Sequence, residues 1–97
     1  MSTYLVLIRF TEQGITNIKD SPQRASKATA MAKKMGVKIR EIYWTLGAYD
    51  GALIIEAPDE ETITAWSLSM GSLGFVKTET MRAFPAKEFG AILGKMV

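Results

Sequence analysis

Hydrophobic and polar residues follow two different periods along this chain. Alternation with a period of two, rich in aromatic and aliphatic residues, predicts strands over residues 3–10, 37–46, 53–55 and 75–84. Apolar residues spaced three or four apart predict one helix that begins with Ser21 as its N-terminal cap and ends at Gly36. A second helix is predicted with Asp59 as its N-cap and with Gly71 or Gly74 at its end, and a short third helix is predicted after Pro85. The connection over residues 15–20 is expected to be irregular or a single turn. The chain therefore alternates strand and helix in the order strand, helix, strand, strand, helix, strand, helix.

The second and third strands are predicted to form a hairpin. Both runs suit a pleated, partly buried surface, and a short segment bounded by Gly47 and Gly51 separates them. Glycine accepts backbone conformations with positive φ, and the aspartate at position 50 can hydrogen-bond to nearby backbone groups. This chemistry is typical of a tight connection.

The order of elements predicts a single α+β domain over residues 1–97, with the ferredoxin-like βαββαβ arrangement followed by a C-terminal helix. Its two crossover helices cover one face of a four-stranded antiparallel sheet. The first strand is apolar on both sides, so its second face needs cover from outside the chain. We therefore expect a homodimer, or a higher homo-oligomer, in which two sheets pack face to face as a dimeric α+β barrel.

Composition narrows the chemistry further. The chain has neither histidine nor cysteine, which excludes disulfides, thiolate nucleophiles, Ser-His-Asp triads and most zinc chemistry. We expect no metal site and no cofactor, and proton transfer would fall to carboxylate, tyrosine, lysine or arginine side chains.

Charge and hydropathy narrow the expected partners. The net charge of +2 comes from interspersed Lys and Arg, which gives little support to nucleic-acid binding. No apolar run approaches the roughly 20 residues that a membrane helix needs, and no signal peptide is recognisable at the start. The expectation is a soluble, cytoplasmic protein without a membrane partner.

Three candidate residues lie in or beside the hairpin. Asp50 would be a general base if it were buried, but a structural hydrogen bond to the hairpin turn is the simpler interpretation. Tyr49 would either offer its hydroxyl to a ligand or pack its ring across the hairpin with the hydroxyl in water. Tyr43, with other strand aromatics, would line a pocket for a planar ligand or fill a core or subunit interface.

Two arginines and a glutamate complete the candidate set. Arg9 and Arg82 each lie near the end of a largely apolar strand. Each would reach water, pair with a glutamate such as Glu79, or hold an anionic ligand through its guanidinium. A structural ion pair is the simpler interpretation for both arginines.

The hairpin segment WTLGAYD, residues 44–50, resembles the motif of the GYD-domain family, small proteins of the dimeric α+β barrel superfamily. Matching segments follow in the same order along nearly the whole chain: YLVL at 4–7, IKDSP at 18–22, EAPD at 56–59, GSLG at 71–74 and TETMRAF at 78–84. Gly51 departs from the pattern, because a strand-forming residue is expected after the aspartate, and its presence predicts a loosened start of the third strand.

The resemblance implies an architecture more than an activity. Similar hairpins occur in the effector-binding domains of feast/famine-type regulators, which oligomerise and bind small effectors. The same barrel also serves cofactor-free monooxygenases and muconolactone-isomerase-like enzymes, although a shared fold does not transfer chemistry. Two hypotheses result: a homo-oligomeric module that is structural or binds a small molecule, and a cofactor-independent enzyme on a small aromatic or enolisable substrate. The candidate site residues for either are Arg9, Tyr43, Tyr49, Asp50, Glu79 and Arg82.

Overall fold

A computed structural model describes all 97 residues of the chain. Its four strands are β1 (Ser2–Phe10), β2 (Lys38–Trp44), β3 (Gly51–Ala57) and β4 (Val76–Ala83). Its helices are α1 (Glu12–Thr16), α2 (Ser21–Lys34), α3 (Glu60–Ser72) and α4 (Ala86–Leu93), with a 3-10 turn at Ile18–Asp20. The strands form one antiparallel sheet in the order β2-β3-β1-β4. The predicted ferredoxin-like α+β fold is confirmed.

The two long helices begin in different ways. The predicted N-cap of α3 is confirmed, because the Asp59 carboxylate accepts a hydrogen bond of 2.7 Å from the Thr62 N–H. The predicted cap of α2 is wrong: Ser21 is already helical, and the preceding Asp20 makes no side-chain cap bond. The Ser21 hydroxyl accepts a hydrogen bond from Trp44 instead, so this serine joins a helix to the sheet.

The segment between β1 and α2 is more ordered than the sequence predicts. An irregular or single-turn connection is expected over residues 15–20, whereas the segment forms α1 and the 3-10 turn. Thr11 caps α1 by accepting from the Gly14 N–H at 3.1 Å. A Cβ atom at position 14 would lie 2.1 Å from the Phe75 carbonyl oxygen. Only glycine permits this close approach, which fixes the end of β1 against the start of β4.

One face of the sheet, here called the covered face, packs against α2 and α3. Strand residues on this face include Tyr4, Val6, Leu53 and Ile55, all 4% exposed or less. They join a core completed from the helices and the α2–β2 connection by Ala32, Val37, Ile63, Trp66 and Met70. Side chains alternate in direction along a strand, so residues two apart in β1 and β3 lie on this face.

The other face of the sheet, here called the open face, has no helix packed on it. Its centre is apolar and consists of Leu5, Leu7, Ala52, Ile54 and Met81, which the strand pairing places side by side. Ile54 is 38% exposed and Met81 39% exposed. The predicted surplus of apolar strand surface is therefore present in the monomer.

The two edges of the sheet are β2 and β4. The pairing of β2 with β3 shifts register between Ile39 and Glu41, which marks a bulge at Arg40. The Arg40 guanidinium lies 3.6 Å from the Glu56 carboxylate. The edge position predicted for the charged first half of this strand is confirmed.

The last helix, α4, follows Pro85 as predicted. Its apolar side chains are largely exposed, Phe89 and Leu93 at 51% and 50%. The Arg82 side chain, on β4, pairs with Glu88 on this helix at 3.0 Å. The apolar side of α4 is thus a second exposed hydrophobic surface of the monomer.

Candidate functional site

The β2–β3 hairpin places several candidate residues at one end of the sheet. The Thr45 N–H donates to the Asp50 carbonyl at 3.0 Å, and the Thr45 hydroxyl donates to the Tyr49 carbonyl at 2.6 Å. Gly47 has a φ of +131°, which explains the glycine in the loop. The predicted hairpin is confirmed.

Gly51 does not loosen β3, contrary to the expectation from sequence. It is the first residue of the strand, is buried, and pairs with Trp44. A Cβ atom here would lie 3.2 Å from the Tyr43 carbonyl oxygen. The missing side chain therefore permits close approach of the two strands at the base of the hairpin.

Asp50 makes a structural hydrogen bond, but its partner is not in the hairpin turn. Its Oδ2 atom accepts from the Phe10 N–H at 2.9 Å, and its own N–H donates to the Ile8 carbonyl at 2.8 Å. The prediction of a bond within the turn is wrong, because the end of β1 approaches the hairpin from the neighbouring strand. Asp50 thus fastens the loop to the centre of the sheet.

Three of the predicted site residues meet beside the open face and form what we call the rim cluster: Arg9, Tyr49 and Glu79. The Tyr49 hydroxyl donates to Glu79 Oε2 at 2.5 Å. The Arg9 guanidinium carbon lies 4.6 Å from the centre of the Tyr49 ring, a cation–π distance. The Tyr49 hydroxyl therefore bonds to a side chain on β4, a contact that neither alternative from the sequence included.

Arg9 differs from its predicted role as an ion-pair partner. Its Nε–H donates to the Ala48 carbonyl at 3.2 Å, and no carboxylate lies within 4 Å of its guanidinium. Its two Nη nitrogens donate to no protein acceptor. The rim cluster therefore presents an arginine whose outer edge is free to bind an anion.

The hydrogen bond to Glu79 raises the pKa of Tyr49, and partial desolvation and the negative charge of Glu79 act in the same direction. The nearby positive charge of Arg9 lowers that pKa in part. A tyrosine with a raised pKa keeps its proton at neutral pH. Tyr49 can therefore donate a hydrogen bond, but it is poorly suited to act as a base.

Tyr43 lies apart from the rim cluster, on edge strand β2. Its hydroxyl is 3.2 Å from Glu41 Oε2, and this hydrogen bond is the main cause of a raised Tyr43 pKa. The side chain is half exposed. It shares the open face with the rim cluster without contacting it.

Arg82 lies at the opposite end of the sheet. It is paired as predicted, but with Glu88 of α4 and not with a strand glutamate. It also donates to the Thr3 and Ala83 carbonyls, and its guanidinium lies 4.5 Å from the centre of the Phe84 ring. These contacts give Arg82 a structural role in holding α4.

Two contacts on the covered side were not predicted from sequence. Trp44 Nε1 donates to Ser21 Oγ at 2.9 Å, and the Arg24 guanidinium lies 4.4 Å from the centre of the Phe75 ring. Each joins elements more than 20 residues apart, so no local pattern signals it.

No group of three or more acidic side chains is placed to hold a metal ion. None of the helices is long and apolar enough to cross a membrane.

Comparison with solved structures agrees with the fold. The crystal structure of FFRP-DM1 superposes with a TM-score of 0.63 over 87% of this chain and all of that chain, at 19% identity. The crystal structure of TTHA0845 from Thermus thermophilus gives a TM-score of 0.58 at 26% identity, over 89% of this chain and 96% of that one.

Sequence comparison goes further. A Thermus thermophilus protein named glutamine synthetase and cystathionine beta-lyase binding protein is 32% identical over 94 residues, which are 96% of this chain and 99% of that protein. The model of the GYD domain family matches residues 4–93, in agreement with the resemblance of the hairpin. The chain therefore belongs to the GYD domain family.

Proposed function

We propose that this protein is a homo-oligomeric binding module, in which two copies pack through their open faces and the resulting assembly binds other proteins. The observation that carries the proposal is the uncovered apolar centre of the open face. Contiguous apolar surface of this kind in a small domain marks an interaction site, because water contact with it is unfavourable. A 97-residue chain also gains from burial that a partner supplies.

The charged residues around the apolar centre support the proposal that a second copy of the chain covers the open face. Arg9 and Lys77 bring positive charge to the β1–β4 side, Glu79 lies between them and the apolar centre, and Glu41 lies across the sheet on β2. In a two-fold dimer the same patch appears on both partners, so a patch with both signs of charge can complement itself. Two sheets packed this way would enclose the apolar centre and leave the helices outside.

The relative's name supports a protein partner for the assembly. That protein is named for binding two metabolic enzymes, and its similarity extends over nearly this whole chain. We therefore place enzymes of the same two classes, glutamine synthetase and cystathionine β-lyase, first among the partners to be tested.

Sedimentation equilibrium at micromolar concentration tests the self-association. We expect the wild type to sediment at twice the monomer mass, and Leu7→Glu to sediment as a monomer because a charge would be buried at the interface. The matched control is Leu68→Glu, at a 69% exposed position on α3, which should remain dimeric. A monomeric wild type, or a Leu7→Glu variant that dimerises as tightly as wild type, contradicts the proposal.

The protein partner is tested by measuring the binding of purified glutamine synthetase and cystathionine β-lyase, from the organism of this protein, to the surface-immobilised wild type. We expect saturable binding by wild type and Leu68→Glu, and at least tenfold weaker binding by the monomeric variant. Absence of saturable binding to both enzymes contradicts this part of the proposal while leaving the dimer intact.

A second candidate function is the binding of a small carboxylate at the rim cluster. The free Nη edge of Arg9 favours it, because it offers unused donors beside an apolar surface. In an NMR titration, benzoate should shift the Arg9 Nε–H resonance of the wild-type protein. In Arg9→Gln, the resonances of residues around position 9 should not shift. Catalysis has weaker support, since the raised pKa of Tyr49 makes its hydroxyl poorly suited to act as a base at neutral pH.

A further inference from the structure

A cavity of about 100 Å³ lies on the covered side of the sheet, away from the open face. Its apolar lining includes Ala25 and Ala28 from α2, Ile42 and Leu53 from the sheet, and Trp66 and Met70 from α3. Apolar cavities on the order of 150 Å³ admit a benzene ring, so this smaller cavity has room for at most one small ring. It lies within one copy of the chain and does not depend on a dimer.

Two charged side chains of opposite sign line the same cavity. Arg24 donates to the backbone carbonyls of Asn17 at 2.9 Å and Gly14 at 3.4 Å, and it has no carboxylate partner. Asp50 accepts from the Phe10 N–H through Oδ2, and its second oxygen has no protein donor. Both side chains are half-buried. Together they contribute no net charge, so the cavity does not favour either an anion or a cation.

A serine adds a free donor. Ser21 is 7% exposed, and its oxygen accepts from Trp44 Nε1 at 2.9 Å. Its own hydroxyl proton is not used in any protein hydrogen bond. The lining therefore includes an unused donor proton at Ser21 and an unused acceptor oxygen at Asp50, the two kinds of partner that a hydroxyl group can use.

We propose that this cavity binds a neutral molecule consisting of one aromatic ring with one hydroxyl group, a phenol or an aryl alcohol. The ring occupies the apolar part between α2, α3 and the sheet, where it removes apolar surface from water. The hydroxyl bonds to the polar side chains at the lining. A charged ring of the same size binds less well, because its charge loses water and gains no net opposite charge.

NMR titration with phenol tests the proposal on the wild-type protein. Both tryptophans of the chain line the cavity, so their two indole N–H resonances should shift together and saturate. Intermolecular nuclear Overhauser effects should join phenol ring protons to the methyl groups of Ile42 and Leu53. Phenol should bind at least fivefold more tightly than benzoate or benzylamine at the same pH.

A pair of matched variants on α2 locates the site. Ala28→Leu fills the cavity and should weaken phenol binding at least tenfold. Ala30→Leu adds the same side chain at an exposed position of the same helix and should change binding less than twofold. Ser21→Ala should weaken phenol severalfold and leave benzene binding unchanged.

Three outcomes would overturn the proposal. In the first, phenol gives no saturable shift of the tryptophan resonances, or its Overhauser contacts lie only on open-face residues such as Leu7. In the second, benzoate or benzylamine binds as tightly as phenol. In the third, Ala28→Leu binds phenol like wild type. The Overhauser contacts are measured on wild type, so the test stands even if a variant fails to fold.

Discussion

Neighbouring residues of β3 show how differently the two faces of the sheet are used. Ile55 points to the covered face and is fully buried, whereas Ile54 points to the open face and is 38% exposed. The same residue type one position apart therefore contributes to a core in one case and to an exposed surface in the other. The covered face should stabilise the monomer at any concentration, while the open face should contribute only when a partner covers it.

The largest expected effect comes from truncating these two isoleucines. Ile55→Ala should lower the free energy of unfolding by about 2–5 kcal/mol, because it removes buried methyl groups and leaves a cavity. Ile54→Ala should cost less than about 1 kcal/mol in the monomer, as an exposed substitution does. Urea unfolding across a hundredfold range of protein concentration measures both. An equal loss for the two variants at the lowest concentration would remove the distinction between the faces.

A smaller effect is expected at Asp50, which fastens the hairpin to β1. Asp50→Ala should cost about 1–3 kcal/mol, because it leaves the Phe10 N–H without its acceptor. Asp50→Asn keeps an acceptor oxygen in the same place and should cost less. Urea midpoints of the two variants provide the measurement, and equal losses would indicate that the bond to Phe10 contributes little.

Adjacent aromatic residues of β2 extend the comparison to polar contacts. Trp44 is on the covered side and, at 51% exposed, meets water about as much as Tyr43 does, but it bonds to the buried Ser21. Trp44→Phe should therefore cost about 1–2 kcal/mol from the lost bond and packing. Tyr43 bonds to Glu41 on the open face in contact with water, so Tyr43→Phe should lower the thermal midpoint at neutral pH by less than Trp44→Phe does. A larger loss from Tyr43→Phe would contradict the contrast between the faces.

The smallest effect concerns pH and the rim cluster. A group whose pKa is raised by folding stabilises the native state below its unfolded pKa and loses that contribution as pH rises through the folded value. The Tyr49 hydroxyl is such a group, and its unfolded pKa is near 10.0. Stability should therefore fall as pH rises above about 10, and part of that fall should disappear in Tyr49→Phe.

Thermal melts at pH 7 to 11 measure this alkaline loss. Tyr43→Phe is a second test of the same effect, because the Tyr43 pKa is also raised by a glutamate, and it should remove a further part of the alkaline loss. The double variant should show a flatter profile than either single variant. An unchanged alkaline profile in the double variant would mean that these two hydrogen bonds are not coupled to folding.

Local patterns were sufficient to predict the four strands and helices α2, α3 and α4 of this fold, but not α1. Alternation identified the strands, and the Asp59 cap identified the start of α3, because those signals lie within a few residues of each other. Gly36 and Gly74, with φ of +76° and +88°, lie where the predicted helices end. The order of elements then left the ferredoxin-like arrangement as the natural topology.

The site was predictable in its residues and not in its contacts. Arg9, Tyr49 and Glu79 were all among the candidates, yet their meeting depends on strand pairing between β1 and β4 and on the path of the hairpin. The Asp50 bond to Phe10 spans 40 positions, and the Trp44 bond to Ser21 spans 23. The cavity between α2, α3 and the sheet had no signal in the sequence, because its lining residues read as ordinary core positions.

The bulge at Arg40 has a consequence for how large an assembly can become. A strand added along β2 would meet an interrupted ladder of hydrogen-bonding groups and a bend in the backbone. Endless side-by-side addition of copies, as in a fibre, is therefore blocked at this edge. Growth of the protein into filaments is disfavoured, and self-association is expected to give closed oligomers with a fixed number of subunits.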